Sequence, residues 1–438
     1  MQELRSFDTG FSPFNGRVKS FLGYPLKLIS IDKLDMEYHV QHHLIDDISD
    51  RENLHKRIAK LHEARLQTDQ PLWQFHIIES KQGNQFSIYI KIHHMLGDGA
   101  TLVRWLQSGY SDSVNNESFS PIWTASSHKE NRPRPATKKS NLSKLFGFLL
   151  AVKDLLWIFI RVLLKLFRIN THYMPVPFTG TKTILTGQVK AGRVVATLDL
   201  PFDRIKLLSK KLRASVNEIL LCCFDIGTHR FLNELGQSFN KALYTNMPIN
   251  LRKPGDTSGG NMIAIVPVEL AHGEKDPYLR LRRIIENHRI VLKAAKRSHP
   301  GAFAYYTVFI QSIALLYEIL HLSSAVPPIA NILISNVPGP KNVMYFKDCA
   351  LQSIYPISTI TAGGGVNITL MTYNNVANVG IVCCDKDIKS LDPLATYFKE
   401  AFVLLEKSVE DYELDITDIG EEINEIVLSD IVEEKTYS

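Results

Sequence analysis

Two adjacent imidazoles, His93 and His94, are followed by Met95-Leu96-Gly97 and then by Asp98-Gly99. A neutral imidazole, with an unperturbed pKa of about 6.5, can take a proton from a hydroxyl near neutral pH. That chemistry needs one well-placed ring and no side-chain nucleophile. Asp98 suits a supporting part, holding an arginine or a backbone donor so that the turn keeps its shape. Gly97 and Gly99 permit backbone angles or close approaches that a Cβ would forbid. His-His-Asp is also a set that binds zinc. Adjacent residues of a strand point to opposite faces, however, so His93 and His94 could hardly share one ion, and no metal is expected.

The element that must carry this motif lies just before it. Phe86, Ile88, Ile90 and Ile92 alternate with Ser87, Tyr89 and Lys91, the period-two pattern of a half-buried strand. Extending the alternation puts His94 in phase with the apolar face and His93 with the other, so His94 is the expected inward base if the strand stays regular that far. Upstream, Asp50 caps an amphipathic helix over 51–67 built on Leu54, Ile58, Leu61 and Leu66. Trp73 to Ile78 reads as the preceding strand, turning at Lys81-Gln82-Gly83-Asn84-Gln85. Downstream, Thr101 to Leu106 opens a helix whose N-terminus should lie close to His94. His39, His42 and His43 are expected at the surface.

Three further strings accompany the motif: Pro71-Leu72-Trp73, Pro248-Ile249-Asn250-Leu251-Arg252 with Gly260-Asn261, and Ser335-Asn336-Val337-Pro338-Gly339-Pro340. The His-His-x-x-x-Asp-Gly pattern resembles the active-site motif of the CoA-dependent acyltransferase superfamily. With its companions the chain resembles the bifunctional wax ester synthase/diacylglycerol acyltransferase family, from about Phe14 to about Leu405.

That resemblance implies an α/β fold of two chloramphenicol acetyltransferase-like lobes, with mixed sheets and a channel between them. It implies transfer of a long-chain acyl group from acyl-CoA to a fatty alcohol or diacylglycerol, giving wax ester or triacylglycerol. Acyl-CoA would be a co-substrate, with no permanently bound cofactor. His94 would be the general base, and His93, Asp98 and Gly99 would complete the catalytic motif. Pro71, Leu72, Trp73, Asn217, Arg252, Asn261, Asn336, Pro338 and Gly339 would be substrate-binding or structural positions. Where the family has an Asn-Asp pair, this chain has Asn217-Glu218, one methylene longer. The family segment that precedes Phe14 is expected to be missing, which leaves full activity to be tested. Two alternatives stand beside this: a condensation-domain-like enzyme forming an amide or ester, and a catalytically impaired lipid-binding homologue.

The chain has 438 residues, beyond the size at which one core usually keeps growing. Strands and helices alternate in both halves. The expected division is a first lobe over 1–170, a crossover over 171–190, a second lobe over 191–409 and a tail over 410–438. Five cysteines, with Cys222-Cys223 and Cys383-Cys384 adjacent, give neither a disulfide framework nor a zinc spacing. Met1 to Gly10 lacks an apolar core segment, so no secretory signal is expected and a cytoplasmic location is.

The net charge is +5, but residues 410–438 hold eleven acids against Lys435 alone, a charge of −10 that leaves +15 on residues 1–409. Such a basic body attracts phosphates or anionic headgroups. No zinc finger, RNP-like string or basic helix with interleaved aromatics is present, which argues against nucleic acid.

Residues 142–168 are the most apolar stretch. A spanning helix needs roughly 18 consecutive apolar residues, whereas the longest uncharged run here, Leu145 to Val152, is eight. Asp154, Arg161, Lys165 and Arg168 form one narrow polar stripe. With the basic loop before it, this helix is expected to lie peripherally on a membrane or lipid-droplet surface. A helix buried between the lobes would show the same pattern.

Overall fold

The computed structural model describes residues 1–21, 24–114, 120–124, 141–169, 172–250, 263–384, 388–411 and 423. The first half begins with α1 (Gln2–Ser6) and the hairpin β1 (Gly16–Phe21) and β2 (Tyr24–Ser30). Short α2 (Met36–His39) runs straight into β3 (Val40–Ile45), followed by α3 (Arg51–Glu63). The N-terminus of α3 is capped by Asp50, which accepts from the Asn53 amide at 3.1 Å. Then come β4 (Trp73–Ser80), β5 (Phe86–Ile92), α4 (Gly99–Gly109) and α5 (Asn141–Leu166). The second half holds β6 (Arg193–Pro201), α6 (Phe202–Lys211), α7 (Val216–Glu234), β7 (Tyr244–Asn250) and β8 (Ile263–Glu269). It continues with α8 (Pro277–Arg297), α9 (Pro300–Ile319), β9 (Ile332–Val337), the short pair β10 (Tyr345–Phe346) and β11 (Cys349–Ala350), β12 (Val366–Tyr373), β13 (Val376–Cys384) and α10 (Asp392–Asp411).

Each lobe has its own mixed sheet, in the order β3-β4-β5 in the first and β6-β13-β12-β9-β7-β8 in the second. In the first, β3 and β4 are parallel while β4 and β5 are antiparallel, in a register that sets Trp73 opposite Ile92. One core cluster joins Trp73, Phe75, Trp105 and Trp123 with Ile88, Ile90 and Ile92 of β5. The other face of β5 is covered as well. Tyr89 packs under α3 with Ile58 and Leu61, and the Lys91 ammonium donates to the carbonyl of Leu61 at 2.7 Å and to that of Ala64. That coverage pushes the Lys91 pKa down to about 8, by desolvation.

The larger sheet is also covered on both faces, which explains why β12 and β13 read as near-continuous apolar runs. Leu198, Ile368, Val379 and Ile381 face the core shared with α7, α8 and α10. Val195 and Val382, of opposite phase, meet Ala59 of α3. The lobes are joined at that contact, where His55 Nε2 lies 3.0 Å from Thr197 Oγ1. A second seam forms where Ser111 and Tyr345 exchange backbone bonds of 2.9 and 2.7 Å, with Phe346 among Phe75, Phe86 and Tyr110.

Two expectations are corrected here. His39 is fully buried rather than at the surface: its ring stacks on Trp73 at 4.3 Å and its Nδ1 lies 2.9 Å from the Trp73 carbonyl. The physical reason is its place as the last residue of α2, where the chain turns inward to start β3. Helix α5 is not a buried inter-lobe element. Ile158 and Val162 join the second-lobe core, and Phe159 meets Tyr306 and Phe309 of α9 at 5.6 and 5.4 Å, but the opposite face is exposed. Although α5 precedes the crossover in sequence, its packing is with the second lobe.

Candidate active site

Pro71, Leu72 and Trp73 are buried where β4 begins. The Trp73 indole donates to the Phe14 carbonyl at 2.8 Å, and its ring stacks on Trp123 at 5.0 Å. These residues act on the motif through the backbone, because the His93 amide donates to the Leu72 carbonyl at 2.9 Å. The strand string thus fixes the point at which the motif leaves the sheet.

From that point the pairing stops. β5 ends at Ile92, and a turn closes with the Leu96 amide donating to the His93 carbonyl at 2.9 Å. The strand phase therefore does not reach His94, and both histidines are exposed. What distinguishes the two rings is their bonding. The Met95 amide donates to His93 Nδ1 at 3.2 Å, so this nitrogen is an acceptor and the ring belongs to the turn. Among the described residues none is hydrogen-bonded to the His94 ring. Desolvation, and secondarily the neighbouring His94, lower the His93 pKa below the ordinary range.

Asp98 is the N-cap of α4. Its carboxylate accepts from the Thr101 amide at 2.9 Å, and its carbonyl takes the Leu102 amide at 2.9 Å, which matches the supporting part expected of it. The two glycines are required by close approach. A Cβ on Gly97 would lie 2.9 Å from both Thr101 Cγ2 and Trp105 Cη2, and one on Gly99 would lie 2.9 Å from Val337 Cγ2.

That last contact ties the motif to the second lobe. Val337 ends β9, and the residue before it, Asn336, donates through Nδ2 to Asn217 Oδ1 at 2.8 Å. Asn217 sits in the first turn of α7, whose start is a capping box: the Glu218 amide donates to Ser215 Oγ at 3.2 Å, and Glu218 Oε2 accepts the Ser215 amide at 2.7 Å. The extra methylene of Glu218 relative to aspartate reaches further. Oε1 also meets His288 Nδ1 at 2.9 Å and the Arg289 Nε at 3.2 Å, both from α8. Burial alone would raise this carboxyl's pKa, but the hydrogen bond and charge of His288, the charge of Arg289 and the Ser215 amide outweigh it and bring it to about 2.

Beyond Val337 the turn is held against β12. Gly339 donates its amide to Thr372 Oγ1 at 3.2 Å, and a Cβ there would lie 2.2 Å from the Thr372 carbonyl oxygen. Pro338 is exposed. Arg252 and Asn261 lie outside the described residues. The structure therefore ties the motif to the second lobe where Gly99 meets Val337, next in sequence to Asn336, which pairs with Asn217, while Pro71, Leu72 and Trp73 support the motif turn from within. Val337, His288 and Arg289 were not singled out from the sequence. Val337 lay within a noted string, but a valine carries no chemical signal, and the α8 pair is a positively charged patch on a charged helix until the fold places it on Glu218.

Cys222 and Cys223, also on α7, are buried, and burial is the first cause that pushes both thiols upward. Neither supplies a thiolate near neutral pH. Among the described residues no cluster of three His, Cys, Asp or Glu side chains could hold a metal.

Two family models match this chain, the wax ester synthase/diacylglycerol acyltransferase catalytic domain over residues 25–220 and the WS/DGAT C-terminal domain over residues 259–406. The chain belongs to the wax ester synthase/diacylglycerol acyltransferase family. It is 27% identical over 405 residues to a Mycobacterium tuberculosis protein named as a diacylglycerol O-acyltransferase, covering 84% of this chain and 81% of that one. To the O-acyltransferase WSD of Acinetobacter baylyi it is 26% identical over 383 residues, with 86% and 82% covered. In structure it is similar to the wax ester synthase/diacylglycerol acyltransferase of Marinobacter aquaeolei, at a TM-score of 0.70 and 21% identity over 93% of this chain and 89% of that one. It is also similar to a condensation domain of the calcium-dependent antibiotic synthetase, at a TM-score of 0.53 and 14% identity over 96% and 89%. Both structural likenesses extend to the fold alone, whereas the family models place the chain with the wax ester synthase/diacylglycerol acyltransferases. The two-lobe α/β architecture matches the expectation from sequence.

Proposed function

We propose that this protein transfers a long-chain acyl group from acyl-CoA to the hydroxyl of a fatty alcohol or diacylglycerol. His94 takes the hydroxyl proton as the oxygen attacks the thioester carbonyl carbon. The carbon–sulfur bond then breaks, and the same imidazole returns the proton to the departing CoA thiolate. One observation carries the choice of base: His93 accepts from the Met95 amide at 3.2 Å within the turn, while the exposed His94 ring is committed to no bond among the described residues. A basic body suits the phosphates of CoA, and the family membership supports acyl-CoA as donor.

The enzyme works as a cytoplasmic protein attached peripherally to a membrane or lipid-droplet surface, where its water-insoluble acceptors reside. The apolar composition of residues 142–168 supports this.

Release of free thiol from palmitoyl-CoA, with fatty alcohol or diacylglycerol as acceptor, tests the chemistry. His94→Ala should lower turnover by about 10²–10⁴-fold, the usual contribution of a general base. His93→Ala should act mainly on stability and positioning. Near-normal turnover in the His94 variant with loss in the His93 variant would reverse the assignment.

A further inference from the structure

Helix α5 is amphipathic with its faces reversed for a water-soluble protein. Three of its charged groups, Asp154, Arg161 and Lys165, are turned onto the protein. Asp154 accepts the His299 amide at 2.7 Å, Arg161 lies 5.7 Å over the Tyr173 ring, and Lys165 donates to the Tyr173 carbonyl. The outward face carries Leu156, Ile160 and Leu163 instead, all exposed.

α9 repeats the arrangement beside it. The helix commits Ala302, Phe303, Tyr306, Ile310 and Ala314 to the core. Its acid, Glu318, is turned inward to accept the amides of Val189 at 2.7 Å and Gly363 at 3.3 Å. Outward stand Val308, Leu315 and Ile319, of which Val308 is 64% and Ile319 65% exposed. The two helices run side by side in the same direction. Ala151 approaches Gly301, Asp154 meets His299, and Phe159 meets Phe309 at 5.4 Å. Their exposed faces therefore form one apolar platform, the kind of contiguous exposed surface that marks an interaction site.

We infer that the paired outer faces of α5 and α9 are the surface by which the protein docks flat on an anionic lipid surface. The inference rests on the lipid-surface attachment proposed above and adds α9, which the sequence did not indicate, as an equal half of the contact. Charge selects the occupant. Asp154 and Glu318 are the acids of these two helices, and both point inward, so the platform presents no carboxylate. Lys153, three residues before Leu156 on the same face, and Arg168, just past the end of α5, are exposed, and Lys129, Arg132, Arg134, Lys138 and Lys139 precede α5 in sequence. A second copy of this chain would set cation against cation, whereas acidic headgroups neutralise these charges while acyl chains take up the apolar face. α9 is long and apolar enough to cross a bilayer by composition, but the side it packs against the core fixes it in the plane of the surface.

The test is co-sedimentation with vesicles of phosphatidylcholine mixed with phosphatidylglycerol. It uses the whole chain and three variants: Leu156→Asp/Leu163→Asp on α5, Val308→Asp/Ile319→Asp on α9, and Leu207→Asp as a control at an equally exposed leucine on α6. Each pair should weaken binding at least about tenfold, and high salt should reduce but not abolish binding. Leu207→Asp should bind as the parent does. Thiol release with a short water-soluble alcohol, measured without vesicles, should be unchanged in all three. The parent's failure in that assay would overturn the proposed chemistry and leave the docking result to stand separately. An α9 variant that sediments like the parent would overturn the inference. So would a parent dimer in solution that Val308→Asp/Ile319→Asp splits into monomers, because a second copy would then be the occupant.

Discussion

A methyl group added at Gly99 would sit 2.9 Å from Val337 Cγ2 and 3.4 Å from Cγ1, where ordinary carbon contacts are about 3.5–4.0 Å. Either the motif turn or the end of β9 must yield by up to about 1 Å. Overpacking of this kind costs typically about 1–3 kcal/mol. Gly99 is the first residue of α4, where alanine is intrinsically the better helix former by about 1 kcal/mol, so global stability should change little. The strain falls instead on the contact between the motif and the second lobe, five residues past His94 in sequence. If it is expressed in the transition state, turnover drops by roughly 5- to 150-fold at 1.36 kcal/mol per factor of ten. Val337→Ala removes both offending methyls, and the remaining Cβ would lie at 3.8 Å from the new alanine, an ordinary contact. The assay is thiol release at saturating acyl-CoA for Gly99→Ala, Val337→Ala and the double variant, read as a double-mutant cycle. The double variant should be faster than Gly99→Ala alone. A Gly99→Ala protein with parental turnover, or a double variant no better than that single one, would refute a catalytic role for this seam.

Glu218 is buried and paired with His288 and Arg289, and its carboxyl is held down to about 2 from an unfolded value near 4.3. A depressed carboxylate stabilises the fold above its unfolded pKa and loses that contribution as the pH falls toward the folded one. The parent's melting temperature should therefore drop between about pH 4.3 and pH 2, while Glu218→Gln should be less stable by about 3 kcal/mol at pH 7 and converge on the parent in acid. Equal melting temperatures at pH 7 would contradict the role given to this carboxylate. At the motif itself, Asp98→Ala should cost about 0.5–2 kcal/mol through loss of the α4 cap, and Asp98→Asn should recover most of it. A stable Asp98→Ala protein with a shifted pH optimum would point instead to direct proton transfer by Asp98.

Local sequence determined much of this protein. The period-two run of Phe86 to Ile92, Asp50 ahead of its helix and the alternation of strands and helices each act over a few residues, so a single segment carries the signal. Asp98 as turn support and Gly99 as a point of close approach were legible for the same reason, since a short polar cap and a missing Cβ have few uses just before a helix. His94 was chosen by extending the strand phase. That argument lapses at Ile92, because the start of the turn from His93 to Leu96 is set by the carbonyl of Leu72, a residue just ahead of another strand.

Only the tertiary structure decided what meets the motif. Asn217, Asn336 and Val337 are more than a hundred residues from Gly99, and the spacing of letters does not encode that a valine methyl fills the space left by a glycine. His39 read as a surface residue because polarity was the only guide, until Trp73 supplied a ring and a carbonyl to satisfy it. α5 shows the limit most clearly. Its sequence defines an apolar face and a polar stripe, but which of them turns outward depends on Tyr173, His299 and α9, which satisfy the stripe from within and leave the apolar face to the surroundings.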